Sequence, residues 1–268
     1  MKSLFMIISL VGALMTGCAG GSQKRSSPVS REQIQTHFDQ GRYSEVIELC
    51  SQERVLETDL LLLRGRCYQK EGDSEAALGD FRTAREGAPD QALAYCFEAN
   101  LLLSFGKVDA ALETMHQAEM RLSSMRKSDR FYVRSVLGEA YLAKGDAESA
   151  RDHLRKAVQV GEESPFQNPY ALSITWHNLS QAEFELAAFR SARRSYEHYL
   201  QGKGRSGMEI SPDDRYTEMT LRLLTGDIPG AQKISRELPE NLRTHADALL
   251  VGDTLSVREL VESEKEKR

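Results

Sequence analysis

The chain lacks several things, and each absence excludes something. After residue 18 it has no apolar run approaching the about 20 residues that a membrane-spanning helix needs, so it is not a polytopic membrane protein. Basic charge is not in excess: 35 Lys and Arg stand against 40 Asp and Glu, a formal net charge of -5. No broad field draws the chain to nucleic acid, which is not expected as a partner. Runs of alternating β-branched residues are missing, so strands are not expected. With 40% hydrophobic and 28% charged residues, the composition is neither collagen-like nor that of a wholly disordered chain. What remains for 268 residues is one or two globular cores, or one elongated array.

The amino terminus reads as an address. Met1, Lys2 and Ser3 make a short basic start, and residues 4–14 are apolar except for Ser9 and Gly12. A basic start, a short apolar core and small residues ahead of a cut site are the pattern of a secretory signal. Thr16-Gly17-Cys18 resembles the bacterial lipobox, with Met15 where Leu is usual. The resemblance implies cleavage after residue 17 and acylation of Cys18, with palmitate among the chains. Two acyl chains suffice for stable anchoring. Ala19 follows the Cys, and the absence of Asp there implies the outer membrane of a Gram-negative cell, facing the periplasm. The other readings are an ordinary signal peptide that happens to carry a Cys, or a short membrane anchor. Residues 18–30 are small and polar and form a flexible tether. Past the signal, Cys50, Cys67 and Cys96 remain beside the lipidated Cys18. They read as small apolar helix residues, with a disulfide between Cys50 and Cys67 left open.

From residue 31 the pattern turns helical and repeats. Gly41, Gly72, Gly106, Gly145, Ala187 and Gly226 are turn positions. Five residues later stand Val46, Ala77, Ala111, Ala150, Ala192 and Ala231. Seven residues earlier stand Ile34, Gly65, Ala99, Gly138, Ser180 and Met219. Each unit is thus helix, turn, helix, with small residues where the two helices cross. Gly suits a left-handed helix stop, and the Asp of Gly72-Asp73, Gly145-Asp146 and Gly226-Asp227 suits the next N-cap.

The clearest copy shows Gly65-x-x-Tyr68, Ala77-x-x-x-Phe81, Ala84 and Pro89. Another shows Leu137-Gly138-x-x-Tyr141 and Ala150-x-x-x-Leu154, and a third Trp176-x-x-Leu179-Ser180 and Ala192-x-x-x-Tyr196. These resemble the tetratricopeptide repeat. The resemblance covers residues 31–240 and implies an all-α helix-turn-helix solenoid of about six pairs, followed by a capping helix and charged tail over 241–268. The Gly72 to Gly106 spacing is 34 residues, Gly106 to Gly145 is 39, and Gly145 to Ala187 is 42. The surplus falls at 122–130, 162–169 and 201–213, where longer second helices or loops should project. The last of these, with Gly202, Gly204, Gly207 and Pro212, reads as a mobile surface loop.

Signs of chemistry are sparse. Glu113-x-x-His116 has the spacing of a dimetal helix but lacks its second copy, so no metal is expected. Gly202-x-Gly204-x-x-Gly207 matches the dinucleotide fingerprint in letters, without the strand that must precede it. Lys203 and Arg205 within it remain open to an acidic partner or headgroup. There is no G-x-S-x-G elbow. His153, His177 and His198 read as packing or surface residues. No catalytic residue, cofactor or small-molecule substrate is expected.

In the tetratricopeptide family the first helix of each pair lines a groove. Register with that pattern places Arg66, Gln69, Cys96, Asn100, Ser135, Glu139, His177 and Gln181 on the inner face. The resemblance therefore implies a scaffold that binds a protein or peptide of the bacterial envelope. One reading is pilotin-like, serving secretin or type IV pilus assembly. A second is an adaptor for peptidoglycan-remodelling enzymes, and a third is an enzyme with an unrecognised site. Arg66 and Asn100 alone, opposed by Glu139, do not make a carboxylate clamp.

Overall fold

The computed structural model describes residues 30–52, 55–163 and 168–252. These residues form thirteen α-helices and no strand. Six antiparallel pairs follow one another. They are α1 (Arg31–Asp39) with α2 (Tyr43–Ser51), α3 (Thr58–Glu71) with α4 (Ser74–Gly87), and α5 (Ala92–Ser104) with α6 (Val108–Glu119). Then come α7 (Lys127–Lys144) with α8 (Ala147–Glu163), α9 (Pro169–Glu185) with α10 (Phe189–Arg205), and α11 (Pro212–Leu224) with α12 (Ile228–Glu237). A last helix, α13 (Glu240–Gly252), closes the stack. The signal, Cys18, the tether as far as residue 29 and the tail from residue 253 lie outside the described residues.

The turns form where local rules place them. Five of the six hinge residues are Gly with φ between 68° and 86°, and the sixth, Ala187, has φ 55°. A side chain in the left-handed region costs roughly 1 kcal/mol per residue. Ala187→Gly is therefore expected to raise the melting temperature by a few degrees, which a thermal melt followed by circular dichroism checks. Asp73, Asp146 and Asp227 accept from the backbone amides of Ala76, Ser149 and Gly230 at 3.0, 3.0 and 3.1 Å. Each satisfies an orphan N–H of the helix that follows.

Inside each pair the small residue lets the partner in. A Cβ on Gly65 would sit 2.5 Å from Phe81 Cε1, and one on Gly138 would sit 2.4 Å from Leu154 Cγ. In the fifth pair Ser180 replaces Gly, and its buried hydroxyl donates to the Ala192 carbonyl at 2.8 Å. Between pairs, a buried acid on one first helix is met by an Arg from the preceding second helix. Glu98 lies 3.0 Å from Arg82 Nε and 2.9 Å from Arg85 Nε. Glu183 accepts from Arg155 at 2.8 Å and from Ser195 at 2.7 Å. Either acid alone in the interior would be strongly destabilising.

Two sequence expectations change, and a third is narrowed. The surplus residues mostly lengthen helices: α7 has 18 residues and α8, α9 and α10 have 17 each. The stretch 201–213 is not a mobile loop, because α10 runs through Gly202 and Gly204 to Arg205 and α11 begins at Pro212. Lys203 is not open to a partner either, since its ammonium lies 2.5 Å from the Asp214 carboxylate. Residues 240–252 make a helix of 13 residues that buries Ala246 against α11 and α12. The Ser235 hydroxyl donates to Asp247 at 2.7 Å and ties α12 to it.

Cys50 and Cys67 share one buried cluster with Ile34 and Val46, and no disulfide joins them. Burial pushes the Cys67 thiol up to about 12.

Candidate functional site

The curvature of the stack follows from which helices touch. Successive first helices pack on one another, α3 on α5, α5 on α7 and α7 on α9. The second helices of successive pairs do not pack together in this way. The first helices therefore lie on the inside of the bend and their free faces form a groove.

The sequence register assigns eight candidates to that face. Arg66 is half-buried, with its guanidinium carbon 4.6 Å from the ring centre of Phe38 and 5.6 Å from that of Phe97. Gln69 and Asn100 are exposed. Glu139 opens to solvent within the concave bend, where burial by surrounding protein raises its pKa. His177 is half-buried and packs edge-on to Tyr199, with ring centroids 4.9 Å apart. Gln181 is exposed and donates to Glu185 at 3.2 Å.

Two candidates do not fit. Cys96 is only 3% exposed and belongs to the core, because α5 lies so close to α7 that this position is covered. Burial pushes its thiol pKa far above the ordinary range. Ser135 is half-buried and bonds Thr175 on α9 at 2.8 Å, so its hydroxyl joins neighbouring first helices.

At the carboxy-terminal end the groove deepens. Between α9 and α11 it holds a cavity of about 360 Å³, lined by His177, Gln181, Phe184, Tyr196, Tyr216 and Thr220 among others. Phe184 is 44% exposed and opens its ring to the cavity. Tyr196 is fixed by its hydroxyl, which donates to the Asp214 carbonyl at 3.3 Å. The cavity is an aromatic slot with polar groups on its rim, suited to an apolar side chain of a partner.

Sequence reasoning missed Phe184, Tyr216 and Thr220. The register was there to be read: Tyr216 and Thr220 stand to Met219 as His177 and Gln181 stand to Ser180. The inner-face register was followed only as far as the fifth pair.

Three other histidines make side-chain contacts. His198 stacks on Trp176 at 4.4 Å between centroids, and His153 stacks on Tyr141 at 5.3 Å. His116 meets the Tyr141 hydroxyl at 3.2 Å and Glu119 at 3.4 Å. No group of three metal-ligating side chains occurs among the described residues. None of the described helices is long and apolar enough to cross a membrane.

A family model described as tetratricopeptide repeat matches residues 132–156, the crossing of α7 and α8. Solved structures extend the likeness to most of the chain. PilF of Pseudomonas aeruginosa superposes with a TM-score of 0.62 at 11% identity, over 88% of this chain and 95% of that one. The fold is a tetratricopeptide solenoid. PilW, described as a widely conserved type IV pilus biogenesis factor, gives a TM-score of 0.63 at 14% identity, over 80% of this chain and 94% of that one. A chain of the APC/C hetero-tetramer Cut9–Hcn1 gives 0.60 at 14% identity over 85% of this chain. This solenoid spans only 40% of that chain's length. At such identities the likeness is one of fold. No curated protein matches. Solenoids of this kind act as protein-interaction scaffolds through their extended concave surfaces.

Proposed function

We propose that this chain is a lipid-anchored scaffold that binds a segment of an envelope protein in its groove and brings it to an assembly at the outer membrane. The observation that carries the reading is the aromatic slot between α9 and α11, on the face where the first helices line the bend. Exposed Phe184 and half-buried Tyr216 stand ready to bury an apolar side chain. Acylation at Cys18 would confine the solenoid to a surface, and confinement raises the effective concentration of any partner held there. Modest groove affinity then suffices for recruitment.

The assembly favoured is a pilotin-like one, for secretin or type IV pilus biogenesis. Its support is the likeness over nearly full length to PilF and to PilW, the latter described as a pilus biogenesis factor.

The test uses a photo-crosslinking residue placed at Tyr216 or, as a control on the outer surface, at Arg190, in intact cells. Adducts with a secretin subunit are expected from Tyr216 alone, and their number should fall with Phe184→Ala. Cys18→Ala should release the protein from the membrane fraction and prevent secretin multimers from forming. Adducts with a peptidoglycan hydrolase, with multimers intact, would replace this assembly with the adaptor reading. Equal adducts at both positions would remove the groove from the function.

A further inference from the structure

Two charged side chains assigned to the inner face, of opposite sign, have no charged partner among the described residues. Arg66 on α3 is held by aromatic rings on both neighbouring first helices, Phe38 of α1 and Phe97 of α5. No carboxylate among the described residues pairs with it. Other partly buried arginines are neutralised internally: Arg64 by Asp80 at 2.6 Å, Arg85 by Glu98 at 2.9 Å and Arg222 by Glu218 at 2.9 Å. Stacking on rings fixes the guanidinium in place and leaves its N–H donors unused. Such a group is set to receive an anion.

Glu139 on α7 occupies the matching position. Arg66 follows Gly65 and Glu139 follows Gly138, each one residue past the small crossing residue. No described cation pairs with Glu139. Glu139 is exposed, yet the protein around it in the bend raises its pKa and so penalises the charge. A cation brought beside it would relieve that penalty. At the same position between them, after Ala99, stands the exposed and uncharged Asn100. From α3 to α7 the row reads positive, neutral, negative.

We infer that this row sets the direction in which a bound segment runs: the partner places an acidic side chain on Arg66 and a basic one on Glu139. The inference rests on the groove-binding reading above and adds the charge pattern of the ligand. Neighbouring helices pack about 8–10 Å apart, so two steps separate the charges by roughly 20 Å. An extended chain at about 3.3 Å per residue covers that with roughly six residues. Complementary charges give selectivity and register more than raw affinity, and a reversed segment would bring like charges together.

The experiment takes the full chain, isotope-labelled for NMR, and two synthetic peptides of about twelve residues. One carries Glu and Arg about six residues apart; the other has Gln at both places. Each bears a nitroxide at the end nearer the first of these positions. The charged peptide should bind about tenfold more tightly than the neutral one, a step of about 1.4 kcal/mol. Its nitroxide should broaden amide signals of α3. In the doubly reversed variant Arg66→Glu, Glu139→Lys the charged peptide should bind again, with the broadening moved to α7. Equal binding of the two peptides, or broadening that stays on α3 in the double variant, overturns the orienting row and leaves groove binding standing. No perturbation of inner-face amides by either peptide overturns both. Circular dichroism checks each variant; if the reversed one loses helicity, Arg66→Gln and Glu139→Gln replace it and should each erase the preference for the charged peptide.

Discussion

Replacing Asp214 with Ala is expected to melt the carboxy-terminal end of the solenoid while the earlier pairs stay folded. This carboxylate is the hub of the α10–α11 junction. It lies 2.5 Å from Lys203 Nζ and accepts from the Tyr199 hydroxyl at 2.9 Å. It also accepts from the Ser211 amide at 2.7 Å and the Ser211 hydroxyl at 2.9 Å, closing a capping box at the start of α11. Removing one member of a buried ion pair costs about 3–5 kcal/mol, because the other charge is left behind. The lost cap adds about 1 kcal/mol if counted alone, though the two effects share one group and do not sum. In a solenoid each unit leans only on its neighbours, so the loss stays local. Hydrogen exchange should accelerate by about two to three orders of magnitude in α11, α12 and α13 and little in α3 to α8. Uniform acceleration along the chain would contradict this.

The same carboxylate has an acid signature. Burial alone would raise its pKa, but the Lys203 ammonium, the Ser211 amide and hydroxyl and the Tyr199 hydroxyl outweigh burial and lower it to about 2. An unfolded Asp titrates near about 3.9. A carboxyl depressed in the folded state stabilises fully above its unfolded pKa, and that stabilisation fades as the pH falls from about 4 towards about 2. Asp214→Asn should therefore be less stable than the native protein at neutral pH and should lose less across that window. Parallel acid-unfolding curves for the two proteins would show that the hub does not form.

What could be read from the sequence, and what could not, divides by the range of the physics. Turns, caps and crossings obey local rules, and the spacing from Gly65 to Gly72 to Ala77 places all three. Even Ala187 was found, because its neighbours Ser180 and Ala192 kept the interval. Register then assigned Arg66, Gln69, Asn100, Glu139, His177 and Gln181 to the inner face as candidates. The misreadings came from packing. Cys96 occupies an inner register position, yet α7 covers it. Gly202 and Gly204 argue against a helix, but α10 continues because Tyr199 and Leu200 are buried and Lys203 is paired. At Gly202 a Cβ would lie 2.8 Å from Ser173 Cβ, so the Gly there serves close approach of α9. The slot was missed for a similar reason, since it forms only where side chains of α9, α10 and α11 meet.

One substitution, made at two glycines of the same helix pair, should give effects of opposite sign. Gly79 on α4 is exposed, with nothing within 4 Å of an added Cβ. Gly79→Ala should stabilise by about 1 kcal/mol, the difference in helix propensity. Gly65→Ala gains the same propensity but drives its methyl to 2.5 Å from the ring of Phe81, which is fully buried and cannot retreat. Overpacking costs about 1–3 kcal/mol and occasionally more. At so short a distance the clash should win, for a net loss of about 2 kcal/mol. Phe81→Leu costs stability through the atoms removed, yet it vacates the space the methyl needs. The double variant Gly65→Ala, Phe81→Leu should thus be more stable than the sum of the two singles predicts. Phe81 also packs 5.5 Å from Phe97, whose ring supports Arg66, so the clash should reach the groove. Urea unfolding of the four proteins decides it: stabilisation by Gly65→Ala, or strict additivity with Phe81→Leu, would mean that α3 and α4 do not cross at this distance.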